Sequence, residues 1–404
     1  MLHARILAVE PSSTTKPTSP TTRTPPQVEC RTREDGQLIK VTFCLAKTPL
    51  LSHFCIHCPG MGPEKFGTEP SILATEERFA LLRVPIFCPS RQMFQEHSDY
   101  FIYQASSLCR PSQKPPLLLL LPNPHPLEFA DDAIGILTHH SHKGVTFVLA
   151  ALQPQSEIGA YKFHLFSGEA DNWTSRVVSC DPSLPQRYSF WCIDKVITID
   201  TKGDLMGWVD LWRGILMCDV LSKNPVLQYV PLPTPVVRHV PGMGSPDIVR
   251  DMVAVRGTVK YFEMKPKVIV ETRRIQGWIA TTWSTQIEHS WKWHEECIFD
   301  VFDVVIDRNN HIELLASPKG NDNTKTILSL RVASPALSLE DDYLVYFMAK
   351  IHSSDDNAWI ISVDMKNQSL QGVAEFSAER TLGVQCNYLR STISKFMYLK
   401  QSTR

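Results

Sequence analysis

Charge of either sign is not in excess in this sequence: 41 lysines and arginines against 42 aspartates and glutamates leave a net charge of -1 over 404 residues. A protein without a basic surplus lacks the electrostatic footprint for nucleic acid or an anionic membrane, and neither partner is expected. Long apolar runs are missing too. The longest aliphatic stretch, Leu117 to Leu121, lies between Pro116 and Pro122, far short of the ~20 residues that a membrane helix needs. Catalytic signatures are equally scarce. No GxSxG elbow, phosphate-cradling GxxxxGK(S/T), dinucleotide GxGxxG or HExxH is present, which removes the common enzyme classes. The expectation is a chain that is not an enzyme and holds no cofactor.

What is present begins with 11 cysteines, an odd count, most of them single within apolar runs, as are Cys192, Cys218 and Cys297. That usage reads as free thiols in a reducing compartment, the cytoplasm or nucleus. Residues 1–38 open with a Thr-, Ser- and Pro-rich stretch without the apolar core of a secretory signal. They are read as a disordered tail, with an organellar transit peptide as the competing reading.

From residue 39 to 404 the pattern is that of one domain: short alternating runs rich in β-branched and aromatic residues, separated by Pro, Gly, Asp and Asn clusters. A three-strand grammar recurs. It reads LMGWVD (205–210), ILMCD (215–219) and VLQYVPL (226–232); then YLVYFMAKI (343–351), WIISVDMKN (359–367) and SLQGVAEF (369–376); and earlier VTFVLAAL (145–152), YKFHLFSGE (161–169) and TSRVVS (174–179). In two copies the middle strand ends in Asp, at Asp219 and Asp364, and in the third Ser167 holds that place. Repeated small antiparallel sheets point to an all-β, propeller-like architecture with five, six or seven blades, and a sandwich as its competitor. One helix is expected at the C-terminus, over about 384–400, where Tyr388, Leu389, Ile393, Phe396 and Met397 are spaced to share a face.

Few residues invite a site. His53, Cys55, His57 and Cys58 crowd into SHFCIHCPG with Cys44 nearby, yet Cys55 and Cys58 on an alternating strand point to opposite faces, so no metal is expected there. The run THHSH (138–142) is read as a solvated loop. Most of the nine tryptophans sit near strand ends, where a large ring wedges tapering sheets apart. Trp291, Trp293 and His294, in the polar run EHSWKWHEE, are the candidates for an interaction surface. Asp210 and Arg213 are assigned to a hairpin tip.

Several segments together, CIHCPG (55–60), DYFIYQA (99–105), GWVDLWRGILMCDVL through YVPLP (207–233), RDMVAVRGTVKYFE (250–263), GWIATTWS (277–284) and LSLEDDYLVYFMAKI through AEFSAERTLG (337–383), resemble a grass-expanded plant family, domain of unknown function 1618. FHLFSGEADNWTSRVV (163–178) resembles in pattern the propellers attached to plant F-box proteins. The family resemblance implies no activity and carries over no catalytic residue. The expectation is a monomeric scaffold that binds a protein partner through its propeller loops, with an enzyme or small-ligand protein using a central pocket as the alternative.

Overall fold

Each repeat contains one strand more than the three-strand grammar shows, and the extra strand is the innermost. The structure is a computed structural model that describes residues 2–8, 27–46, 48–61, 65–66, 70–86, 97–105, 115–141, 144–156, 159–180, 192–200, 204–233, 245–269, 274–286, 291–300, 303–305, 331–350, 355, 357–377 and 389–397. Its strands form six sheets, the blades of a six-bladed β-propeller.

Blade 1 gathers β1 (Leu2–Ala8), β2 (Gln27–Arg31), β3 (Leu38–Cys44), β4 (Ser52–His57) and β25 (Leu389–Ser391), in the order β2-β3-β4-β1-β25. The other five blades are meanders of four consecutive strands. Blade 2 holds β5 (Ser71–Glu76), β6 (Phe79–Pro85), β7 (Ser98–Gln104) and β8 (Leu117–Leu120). Blade 3 holds β9 (Ile134–Ser141), β10 (Gly144–Pro154), β11 (Ala160–Ser167) and β12 (Asn172–Ser179). Blade 4 comprises β13 (Lys195–Asp200), β14 (Asp204–Asp210), β15 (Gly214–Asp219) and β16 (Gln228–Pro231). Blade 5 comprises β17 (Arg250–Val255), β18 (Thr258–Ile269), β19 (Arg274–Gln286) and β20 (His294–Asp300), and blade 6 β21 (Arg331–Leu337), β22 (Leu344–Lys350), β23 (Asn357–Asp364) and β24 (Ser369–Ser377).

Around the axis, β25, β5, β9, β13, β17 and β21 follow one another as neighbours. Between blades lie apolar cores, because a sheet with two apolar faces must bury both. Phe43, Phe54 and Val41 of blade 1 meet Leu82, Phe101 and Tyr103 of blade 2, and Phe262 of blade 5 meets Phe347 of blade 6. Trp208 is the wedge between blades 3 and 4: it is wholly buried, packs edge-on to Phe163 and donates its indole N–H to the Ala133 carbonyl at 2.9 Å. Trp208→Phe keeps a ring but strands that carbonyl and leaves a void, so a loss of about 1–3 kcal/mol is expected in urea unfolding. An unchanged midpoint would show that the blades pack without it.

The strand-ending polar residues act as their types require. Asp219 accepts the N–H groups of Leu221 and Ser222, Asp364 those of Lys366 and Asn367, and Ser167 that of Ala170.

Three expectations are corrected. The helix over 384–400 is absent from its described part: Leu389–Ser391 is a strand parallel to β1, and Ile393–Phe396 is a single 3-10 turn. The apolar spacing serves ring closure instead, with Ile393 and Met397 buried in the core between blades 1 and 2. Residues 384–388 and 398–400 lie outside the described residues. The disordered reading of residues 1–38 does not hold for β1 and β2, which pair with β4 and β3, since a closing blade draws strands from distant parts of the chain; residues 9–26 lie outside the described residues. THHSH is strand through Ser141, with His139 beside Asp204 and His140 beside Glu77. Among the described residues no helix is long and apolar enough to cross a membrane.

Candidate functional site

In a ring of meanders the innermost strands all run the same way, so their starting residues collect at one mouth of the channel. A 3-10 turn, Asp131–Ala133, leads into β9; Asp194 directly precedes β13; a second 3-10 turn, Pro246–Ile248, leads into β17. Asp132 and Asp247 are thereby held close enough to Asp194 for their charges to act on it, and Asp247 acts on Asp132 as well. Burial, then the charges of Asp131 and Asp247, push Asp132 up to about 6. Burial, then Asp210, Asp247 and Asp132, push Asp194 up to about 7, although it accepts the Leu211 N–H at 2.7 Å.

The hairpin tip Leu211–Arg213 forms the wall beside this cluster, because β14 returns antiparallel to β13 and ends at the same mouth. Asp210 is wholly buried and holds the tip: it accepts the N–H of Trp212 at 2.9 Å and of Cys192 at 3.3 Å, and pairs with Arg213. Arg250 donates to the Leu211 carbonyl at 2.9 Å, pairs with Glu263, and stacks on Trp212 at 4.2 Å from the ring centre. The tip is thus a fixed part of the mouth.

Next to Asp194 and Arg250, a charge cluster centred on the buried Asp251 joins four inner strands. Asp251 on β17 accepts from Lys195 of β13 at 2.8 Å, from the Leu337 N–H of β21 at 2.8 Å, and from Arg390 of β25. Burial alone would raise the Asp251 carboxyl, but the Arg390 and Lys195 charges outweigh it and hold it below the usual range. Burial, reinforced by the Arg390 charge, lowers Lys195 to about 8.

The raised Asp194 carboxyl has a pH consequence. Its folded-state pKa lies above the unfolded value near 4, so the folded chain keeps a proton that the unfolded chain releases. The stability from this group is fully present below pH ~4 and lost as pH rises through about 7. Asp194→Asn is expected to lose less stability than wild type between pH 5 and 8, by roughly 1 kcal/mol after solvent screening. Parallel urea titrations of the two proteins at both pH values would contradict this if they shifted together.

The residues singled out from sequence are placed as follows. Trp291 and Trp293 are half-buried against the core between blades 4 and 5, with the Trp293 indole N–H donated to the Pro231 carbonyl at 2.9 Å; His294 stays exposed. His57 is exposed, and Cys58, just past the end of β4, is buried in the core with Phe54 and Ile56, so the four residues of SHFCIHC do not converge. A different trio does: Cys44, His53 and Cys55. The gap between blades 5 and 6 lined by Met264, Trp278, Phe299 and Phe347 is wholly apolar and about 10 Å³, too small for a ligand. The mouth carboxylates were not singled out by sequence, although Asp131-Asp132 and Asp194-Lys195, at the head of apolar runs, were the available signal.

The family model for "Protein of unknown function (DUF1618)" matches residues 208–346, which span the WRG hairpin, GWIATTWS and the start of blade 6. No curated protein matches the chain. Among solved structures, the chain is similar to Kuenenia stuttgartiensis hydrazine synthase, at 10% identity over 88% of this chain and 81% of that one, with a TM-score of 0.35. It is also similar to the WD40 domain of SCAP from fission yeast, at 10% identity over 84% and 74%, with a TM-score of 0.34. A Trypanosoma rangeli sialidase mutant displaying trans-sialidase activity aligns at 11% identity over 86% and 56%, with a TM-score of 0.28. Likenesses this low carry nothing about function.

Proposed function

We propose, for a chain whose residues 208–346 match the DUF1618 family model, that it is a non-enzymatic binding propeller whose mouth carboxylates take up a cationic side chain of a protein partner. The observation that supports this is the gathering of Asp132, Asp194 and Asp247 at the heads of three successive inner strands, where the Asp247 charge raises both Asp132 and Asp194 and the Asp132 charge raises Asp194. Like charges held together disfavour their own ionisation, and a lysine or arginine inserted among them relieves that repulsion. The Trp212–Arg250 stack gives such a partner a rigid wall. The described cysteines are all free thiols, in keeping with work in the cytoplasm or nucleus.

The test is affinity purification of the tagged chain from the source tissue, quantified beside the D132N/D194N/D247N variant. A partner recovered near stoichiometry with wild type and depleted at least tenfold with the variant is the expected result. The same recovery from both proteins would remove the carboxylates from the account.

A second reading has one observation in its favour. Asp194, pushed up to about 7, and Lys195, lowered to about 8, are consecutive residues, and the Asp194 charge acts on Lys195; groups shifted toward neutrality are what an enzyme or small-ligand protein with a central pocket would need. Saturable turnover of a small substrate, abolished by Asp194→Asn, would establish that reading over the first.

A further inference from the structure

The geometry of blade 1 points to a metal site: we propose that Cys44, His53 and Cys55 bind one zinc ion as a three-ligand site with its fourth position open to water. The register of β3 and β4 sets Cys44 directly opposite His53 and Thr42 opposite Cys55. His53 and Cys55, two residues apart, share a face of β4, and cross-strand neighbours share it as well. Phe43 and Phe54 occupy the other face, in the core against blade 2. The trio therefore projects toward blade 6, the side on which Leu51 packs with Ala336, Tyr346 and Met348.

The three ligand atoms all lie within 4.8 Å of one another. The centre of a triangle of that side is about 2.8 Å from each corner, so a shift of ~0.5 Å for each sulfur and ~0.7 Å for the imidazole reaches Zn–S and Zn–N bonding distance. Two thiolates and an imidazole are soft to borderline donors, the set that favours zinc over the oxygen-seeking calcium or magnesium. Cys55 is buried while Cys44 and His53 are half-buried, so water can reach the fourth position. Simple alternation conceals the site: the sequence-adjacent Cys58 points away, and the second sulfur comes from the preceding strand, across a turn.

Binding exchanges each thiol proton for a zinc–sulfur bond, so about two protons should be released per ion and affinity should fall as pH falls. The site thereby clamps β3 to β4 next to the ring closure.

The experiment uses the full chain, reduced and stripped with a chelator, then titrated with zinc against a chromophoric competitor and with cobalt(II) as a spectroscopic probe. Expected are one equivalent of zinc, a thiolate-to-cobalt charge-transfer band, and at least a ~100-fold loss of affinity in C44S, C55S and H53A. H57A and C58S should bind as wild type does. H53A alters a half-buried residue, so it keeps the test open should a cysteine variant fail to fold. Zinc bound equally well by all three ligand variants, no stoichiometric zinc at micromolar concentration, or a Cys44–Cys55 disulfide in the freshly isolated protein would each overturn the proposal.

Discussion

Asp251→Ala is expected to destabilise the protein by about 2–4 kcal/mol, because it takes the hydrogen-bonded carboxylate from two largely enclosed cations, Lys195 and Arg390, and leaves the Leu337 N–H without its acceptor. The Lys195 side chain is 21% exposed and that of Arg390 10%, so neither is free to solvate its charge fully. Asp251→Asn should recover part of the loss by accepting from Leu337 again. Replacing all three charged residues with apolar ones of similar size, D251L/K195M/R390M, should cost far less than Asp251→Ala alone, since a buried ion cluster carries its own desolvation penalty. Denaturant unfolding of the set distinguishes the two cases. A D251A protein as stable as wild type would mean that the cluster does not join the inner strands.

Gly214→Ala is expected to cost on the order of 3 kcal/mol or to prevent folding. A Cβ at this position would lie 2.2 Å from the Val230 carbonyl oxygen and 2.9 Å from the Tyr229 ring. The first is backbone of the paired strand β16 and can yield only if the sheet opens. The φ of +157° is one that side-chain-bearing residues rarely adopt. The glycine therefore fixes how tightly the WRG tip folds back, and with it the position of Trp212 at the mouth. Alanine at Gly36, where the φ of +58° is also unfavourable for a side chain but nothing lies within 4 Å of the added atom, should cost only about 1 kcal/mol. Equal stability losses at the two positions would contradict the close-approach argument.

The outer three strands of blades 3, 4 and 6 were legible because they alternate cleanly between two apolar cores, as WIISVD and LMGWVD do. The inner strands were harder to see. Lys195, Arg250, Asp251 and Arg390 stand on or at the head of these strands, and charges there look like turn residues until the channel gives them partners. Blade number was hidden for the same reason, since blade 1 is assembled from both ends of the chain. The C-terminal segment misled because Leu389, Ile393, Phe396 and Met397 fit a helical face as well as they fit a closing strand and turn. Asp210 and Arg213 were legible as a hairpin tip. Their service to a binding mouth depends on Asp194 and Arg250, which contact the tip from 17 and 39 residues away.

The central claim, that the mouth carboxylates receive a cationic group, is tested most directly by following the Asp194 carboxyl by carbon NMR as pH is varied, with and without the purified partner. The free protein should titrate near 7, and an inserted ammonium or guanidinium should pull that value down by at least one unit. A partner bound at full occupancy with the Asp194 titration unmoved would contradict the claim.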